Sequence, residues 1–231
     1  GGILNFNLRG DPQSPDPWVR VQWDTQGVTN FVHARLSRTD KGPEPCATRP
    51  LDPELATGWK WTSDTVLEIT LRQGVRFPSG APYNGREFTA DDFLYTATVQ
   101  WPRSSMYTPI MGMVKKVEKT DKYGVRFLLN EPFADLIETV VENPRLPVAG
   151  PELFGADNAV PRVEQAGLGP FRITKYTPGV KVDFLKNNDY WRKGVPYLEG
   201  LKGLIMPDFA TVAAAVRSGK LDTAELFGNM P

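Results

Sequence analysis

The side chains that most often carry out catalysis are scarce in this sequence. It has one histidine, His33, and one cysteine, Cys46. One cysteine excludes an internal disulfide and any zinc site built from several cysteines. Nucleophilic catalysis needs a base beside the nucleophile. His33 falls on a predicted helix next to Val32, so we interpret it as a partly exposed helix histidine, and nothing near Cys46 in the sequence would activate a thiol.

Two carboxylates, Asp91 and Asp92, are adjacent and could act as a general acid and base in a hydrolase. Their position gives a simpler explanation, because Thr89 followed by Asp92 has the spacing of a helix capping box. Acidic residues in a first helical turn also interact favourably with the helix dipole. The glycines at 167–169 and at 228 precede no predicted helix and no lysine follows them, so a phosphate-binding loop is not indicated. We therefore expect no cofactor and no metal site.

Aromatic residues are a more informative signal, because several lie in loops. Trp18 and Trp23 are in or just after a proline-rich segment, and Trp101 and Tyr107 follow a predicted helix. Loops on a rigid scaffold are where binding residues concentrate, so these rings could line a ligand cleft. They could equally hold long loops against the core, and the sequence leaves both interpretations open.

Composition excludes several classes of protein. The chain has 231 residues, 27 basic and 27 acidic, so its net charge is zero. Nucleic-acid binding and adsorption to anionic lipid both depend on excess positive charge. The mean hydropathy of −0.35 and the 40% hydrophobic content indicate a folded globular chain. No stretch reaches the roughly 20 apolar residues of a membrane helix. The opening GGILNFNL has no signal peptide, so we expect the leader to be missing if the protein is exported.

Periodicity predicts an α/β protein with mixed sheets, few long helices and many ordered loops. The final strand, helix and strand should form a parallel unit with a right-handed crossover. The predicted strands are 3–8, 58–62, 66–71, 113–119, 125–130, 171–176, 181–185, 201–206 and 221–227. Four helices are predicted: one over 24–36, one that begins at Thr89, one over 133–141, and one between Asp208 and Gly219. In the last of these, Asp208 is the N-cap and the residues on a shared face are Phe209, Val212, Ala213 and Val216.

Taken in order, four segments resemble the extracellular solute-binding proteins of family 5, the peptide/nickel class that serves ABC importers. The first is Ser14–Leu36, with an Asp-Pro pair, a loop and a helix. The second is Leu51–Pro82 with Phe88–Thr96, which contains LRQGVRFPSG and the TADD helix start. The third is Gly169–Trp191, and the fourth is Tyr197–Glu225.

This resemblance implies one lobe of a periplasmic-binding-protein-like fold of class II (cluster C), with mixed β-sheets and an inserted α+β subdomain. It divides the chain into a first segment of lobe I (1–36), the inserted subdomain (37–167) and a second segment of lobe I (168–231) that ends at the inter-lobe hinge. Family members continue into a second lobe. We therefore expect the chain to be a truncated piece that carries most of lobe I and binds solute weakly or not at all.

The resemblance also implies a function without covalent chemistry. Two lobes close on a peptide or similar small solute and deliver it to ABC permease subunits, in the periplasm or at the bacterial cell surface, with a lipid anchor as one link to the membrane. Peptide ligands in such proteins pair with protein main chain as an added strand does. The expected ligand-binding residues are Val21, Gln22, Trp23, Asp24, Trp101, Tyr107, Phe227, Gly228 and Asn229.

Two features depart from the family pattern. Extra residues lie between Pro82 and Phe88, and Trp23 stands where the peptide binders have a smaller residue. An indole there could stack on a sugar ring or close the pocket around a smaller solute. The alternatives left open are a non-peptide solute such as a sugar or nickel chelate, a sensory receptor with the same fold, a hydrolase using Asp91 or Asp92, and a fragment that dimerises through the surface a second lobe would cover.

Overall fold

Two four-stranded β-sheets organise the chain, one built from both ends of the sequence and one from its middle. The computed structural model describes residues 1–19, 23–39, 51–104, 107–141, 143, 146–155, 160 and 163–224. The strands are β1 (Ile3–Leu8), β2 (Ser37–Thr39), β3 (Leu51–Pro53), β4 (Ala56–Ser63), β5 (Val66–Leu71), β6 (Val114–Lys119), β7 (Gly124–Leu129), β8 (Phe171–Thr177), β9 (Lys181–Lys186) and β10 (Gly200–Ile205). The α-helices are α1 (Trp23–Thr29), α2 (Ala90–Tyr95), α3 (Thr108–Met113) and α4 (Phe209–Arg217).

The first sheet has the strand order β1-β10-β9-β8. β1 and β10 are parallel, and the other pairs are antiparallel. Alternation along these strands turns one set of side chains inward, so Val182 and Phe184 of β9 are buried with Leu201 of β10. Val28 of α1 and Val32 cover this face without exposure. The sheet therefore has one core face formed with α1.

The second sheet has the order β4-β5-β7-β6 and is antiparallel throughout. Leu67 of β5 lies opposite Phe127 of β7, and both are fully buried. Phe93 of α2 packs edge-on against Phe127, with ring centroids 6.2 Å apart. This second core is distinct from the first, and it includes Trp18 from the segment after β1. The domain boundaries at 36/37 and 167/168 stay predictions.

The helix predicted over 24–36 is shorter than the periodicity indicated, because α1 ends at Thr29. The carbonyls that would continue the helix accept hydrogen bonds from distant residues instead. Gly169 N–H donates to Val32 O, and Val148 N–H donates to Ala34 O. His33, predicted to be a partly exposed helix residue, is instead 1% exposed in the turn after α1. Tertiary pairing thus overrides the local helical pattern here.

Three further predictions need correction. In α4, Val212 and Ala215 are buried, but Phe209 and Val216, predicted to share a face with Val212, are 47% and 43% exposed. The helix predicted over 133–141 begins later than expected, because a turn precedes it, and the segment Ile137–Val141 is π-helical. The sequence predicts a strand over 221–227. Residues 221–224 do not have strand geometry, and the rest of the predicted strand lies outside the described residues.

The capping box that begins α2 is present as predicted. The Thr89 hydroxyl accepts a hydrogen bond from the Asp91 N–H, and Asp92 Oδ2 accepts one from the Thr89 N–H at 2.9 Å. Arg86 also donates hydrogen bonds to both carboxylate oxygens of Asp92, and it forms an ion pair with Glu152. Asp92 is almost fully buried, whereas Asp91 is exposed and pairs with Lys119. Helix capping and ion pairs therefore explain the presence of both adjacent carboxylates. The hydrolase alternative rested on these two residues, so it loses its support.

Replacing Asp92 with alanine should lower the free energy of unfolding by about 2–3 kcal/mol, because it removes a helix cap and the buried partner of Arg86. Asp91→Ala is the matched control, since its exposed pair with Lys119 should contribute about 0.5 kcal/mol or less. Urea denaturation of both variants measures the difference. Equal losses would contradict the role given to Asp92.

Candidate functional site

The candidate site is the segment that leaves the carboxyl end of β1, here called the β1–α1 loop (residues 9–22, of which 9–19 are described). β1 lies parallel to β10, and Leu8 and Ile205 end this pair side by side. In α/β folds, ligands bind outside the carboxyl ends of parallel strands. The loop therefore occupies the position where a binding segment is expected.

Asp11 fixes the start of the β1–α1 loop against the β8–β9 hairpin. Its carboxylate accepts hydrogen bonds from the Tyr176 hydroxyl at 2.7 Å and from the Gly179 N–H at 2.9 Å. Gly179 has a φ of +69°, which glycine adopts without strain and which turns its N–H towards the loop. Burial, together with the bond to Asp11, raises the pKa of Tyr176 to about 12. The phenol thus remains a hydrogen-bond donor at neutral pH.

Asp16 fixes the middle of the loop, and its side chain is almost fully buried. Oδ1 accepts hydrogen bonds from the N–H groups of Trp18 and Val19, at 3.0 and 3.3 Å, which forms an Asx-type turn. Oδ2 pairs with Nη1 of Arg103 at 3.0 Å and accepts the Val160 N–H at 3.4 Å. One carboxylate therefore shapes the turn and joins it to two other segments.

Trp18 holds the loop against the second core and presents no exposed surface. Its indole N–H donates to Pro147 O at 3.0 Å, and the ring packs edge-on against His33 and Phe154. Of the two interpretations of the loop tryptophans, the core-packing one is therefore confirmed for Trp18. The next residue, Val19, is 37% exposed.

The other predicted ligand residues of this segment are partly described. Asp24 is half-buried in the first turn of α1, and a Cβ placed on Gly10 would lie 3.5 Å from its Oδ2. The Asp24 carboxylate thus faces the beginning of the loop. Trp23 begins α1. Val21 and Gln22 lie outside the described residues.

Trp101 and Tyr107 are buried in the second core, at 1% and 2% exposure. Trp101 packs against Phe93 and Phe127, so it has no face free for a solute in this arrangement. Arg103, which lies between these two aromatics in the sequence, is the residue that reaches the β1–α1 loop through Asp16. The aromatic pattern in the sequence pointed to Trp101 and Tyr107 and gave no indication of Arg103.

His33 and Gln165 complete the support of the loop. Gln165 Nε2 donates to Pro15 O at 2.7 Å, and Gln165 Oε1 lies 2.9 Å from His33 Nε2. Because an amide oxygen only accepts, His33 must carry its proton on Nε2. Burial lowers the pKa of His33 to about 4, so the ring is neutral at physiological pH. No sequence motif pointed to this pair.

The predicted hinge residues, Phe227, Gly228 and Asn229, lie outside the described residues. The chain just before them runs beside β1. The Asp222 N–H donates to Asn5 O, and the Asp222 carboxylate accepts from the backbone and side-chain nitrogens of Asn5 at 2.7 and 3.0 Å. This contact brings residue 222 to the edge of β1 that β10 does not occupy.

A cleft of about 520 Å³ lies beside β8. Most of its polar lining is already bonded within the protein: Glu152 to Arg86, Glu164 to the Tyr176 N–H, and Gln165 to His33 and Pro15. These side chains are thus already engaged within the protein. Within the described ranges, no group of three or more His, Cys, Asp or Glu residues could hold a metal ion.

Comparisons with known proteins identify the family. The model of bacterial extracellular solute-binding proteins, family 5 (middle), matches residues 50–230. Di/tripeptide-binding protein 3 of Pseudomonas aeruginosa is 30% identical over 244 residues, covering 96% of this chain and 44% of that protein. The chain belongs to the family 5 bacterial extracellular solute-binding proteins, and it spans less than half the length of this relative.

Solved structures agree with this assignment. The periplasmic binding protein DppA from Helicobacter pylori, in complex with the peptide STSA, superposes with a TM-score of 0.77 at 26% identity, covering 96% of this chain and 46% of that one. A dipeptide-binding protein from Pseudoalteromonas sp. SM9913 in complex with Met-Leu gives 0.78 at 27% identity, with the same coverages. The predicted fold class, an α/β periplasmic-binding-protein fold with mixed sheets, is confirmed. No helix in the described part of the chain has the length and apolar character needed to cross a membrane.

The buried His33 predicts a specific pH dependence of stability. The unfolded chain takes up this proton near pH 6.5, but the folded chain resists it until about pH 4. The stability due to neutral His33 is therefore complete above pH 6.5 and is lost as the pH falls towards 4, by an amount on the order of 3 kcal/mol. Denaturation of wild type and His33→Gln from pH 7 to 4 measures this, and the variant should lose less stability over that interval. Parallel curves would show that His33 does not titrate as described.

Proposed function

We propose that this chain forms part of the solute-binding component of an ABC importer and that its solute is a di- or tripeptide. The observation that carries the proposal is the 30% identity, over 96% of the chain, to a relative named as a di/tripeptide-binding protein. The structures of two relatives hold the peptides STSA and Met-Leu, which is consistent with the same class of solute.

The proposed contact surface is the exposed end of the β1–α1 loop with the start of α1. Within the described part of this surface, Val19 is exposed. We propose that the surface continues through Val21, Gln22, Trp23 and Asp24. An extended peptide would pair with main-chain groups there, as an added strand does. Trp101 and Tyr107 would act indirectly, by supporting the segment that carries Arg103.

The second half of the site is proposed to come from another lobe, reached through a hinge at Phe227, Gly228 and Asn229. Closure of two lobes on a ligand removes it from water on both sides. A single lobe leaves one side of the solute solvated, so we expect the chain alone to bind peptides weakly. We place the full-length protein in the periplasm or at the cell surface, where it releases the solute unchanged to ABC permease subunits.

Calorimetric titration of the full-length protein with a di- and tripeptide pool tests the proposal. Saturable binding with recovery of intact peptide supports it, and hydrolysis of the peptide would favour an enzyme. Saturable binding of a sugar or a nickel chelate with no response to peptides would overturn the solute class and leave the family assignment intact.

Val19→Lys should weaken dipeptide binding by tenfold or more, which corresponds to about 1.4 kcal/mol, because it places a charge at the proposed contact surface. Tyr197→Lys is the matched control, since Tyr197 is 80% exposed in the β9–β10 connection and lies away from the carboxyl end of β1. Calorimetry on both variants of the full-length protein measures the effect. Unchanged affinity in Val19→Lys would remove this end of the loop from the contact surface.

A further inference from the structure

Gln165 connects the β1–α1 loop to the first sheet, because its side chain contacts the loop and its backbone is bonded to β8. Its side chain is only 4% exposed, and its own carbonyl accepts the N–H of Ile173 in β8 at 2.8 Å. The backbone of Gln165 is therefore fixed to the first sheet. Its side chain extends from that support to the loop.

The orientation of the Gln165 amide is determined at both ends. Pro15 O can only accept a hydrogen bond, so the amide nitrogen must face it. The amide oxygen then faces His33, whose buried, neutral ring supplies a proton on Nε2. Reversing the amide would leave an acceptor against the Pro15 carbonyl and a donor against the ring N–H. The pair thus specifies one position for Pro15.

Pro15 directly precedes Asp16, whose carboxylate forms the turn that exposes Val19. A shift of the Pro15 carbonyl would move the backbone of Asp16 and change its bonds to the N–H groups of Trp18 and Val19. We propose that Gln165 is a positioning residue for solute binding, which holds Pro15, and through it the Asp16 turn, in the binding geometry. This inference rests on the proposed function, because the loop is taken as the solute contact.

The test uses the full-length protein with Gln165→Met and Gln165→Glu. Methionine has a similar length and makes neither hydrogen bond. Ionised glutamate keeps an acceptor for His33 but cannot donate to Pro15 O. The control is Val163→Ala, a buried residue two positions away whose described contacts are apolar. It should lower the melting temperature by about 3 °C through lost packing.

Both Gln165 variants should weaken dipeptide affinity about tenfold and speed amide hydrogen exchange at Trp18 and Val19. Val163→Ala should change neither property at a temperature where all variants are folded. Wild-type exchange at Trp18 and Val19 in either Gln165 variant that folds, or an equal loss of affinity in Val163→Ala, would overturn the positioning role. Absence of peptide binding in the wild type would instead contradict the proposed function, and the exchange measurement would still decide the role of Gln165.

Discussion

The arrangement of the candidate site depends on one buried carboxylate, that of Asp16. A buried carboxylate is tolerated only when its charge and its lone pairs have partners. Asp16 obtains them from the N–H groups of its own turn, from Val160 and from Arg103. Satisfying this group therefore requires the β1–α1 loop and the segment carrying Arg103 to take fixed relative positions. The Asp-Pro pair in the sequence is thus a structural feature that shapes a loop.

The same loop joins the two hydrophobic cores. It begins at the first sheet, where Asp11 contacts Tyr176 and Gly179, and it places Trp18 in the second core. A loop held at several points along its length loses its conformational freedom when the protein folds. Little further ordering of the loop would then be needed for the proposed solute to bind there, which would favour affinity.

Sequence patterns predicted the elements that are determined by residues close together in the chain. The strands β5, β7, β8 and β9 follow from alternation, and the cap of α2 follows from Thr89 and Asp92. The end of α1 could not be predicted, because the carbonyls of Val32 and Ala34 are bonded by residues far along the chain. The supports of the site were missed for the same reason: Gln165 and Pro15 are 150 residues apart in sequence. Burial of Trp101 and Tyr107 likewise depends on tertiary packing, which periodicity does not report.

The central claim, that the solute contacts the exposed end of the β1–α1 loop, is tested most directly by photocrosslinking. A dipeptide with a benzophenone side chain would be bound to the full-length protein, irradiated, and its adducts located by mass spectrometry. The account predicts at least one adduct within residues 19–24 that unlabelled dipeptide suppresses. Suppressible adducts that all lie outside this segment would contradict it.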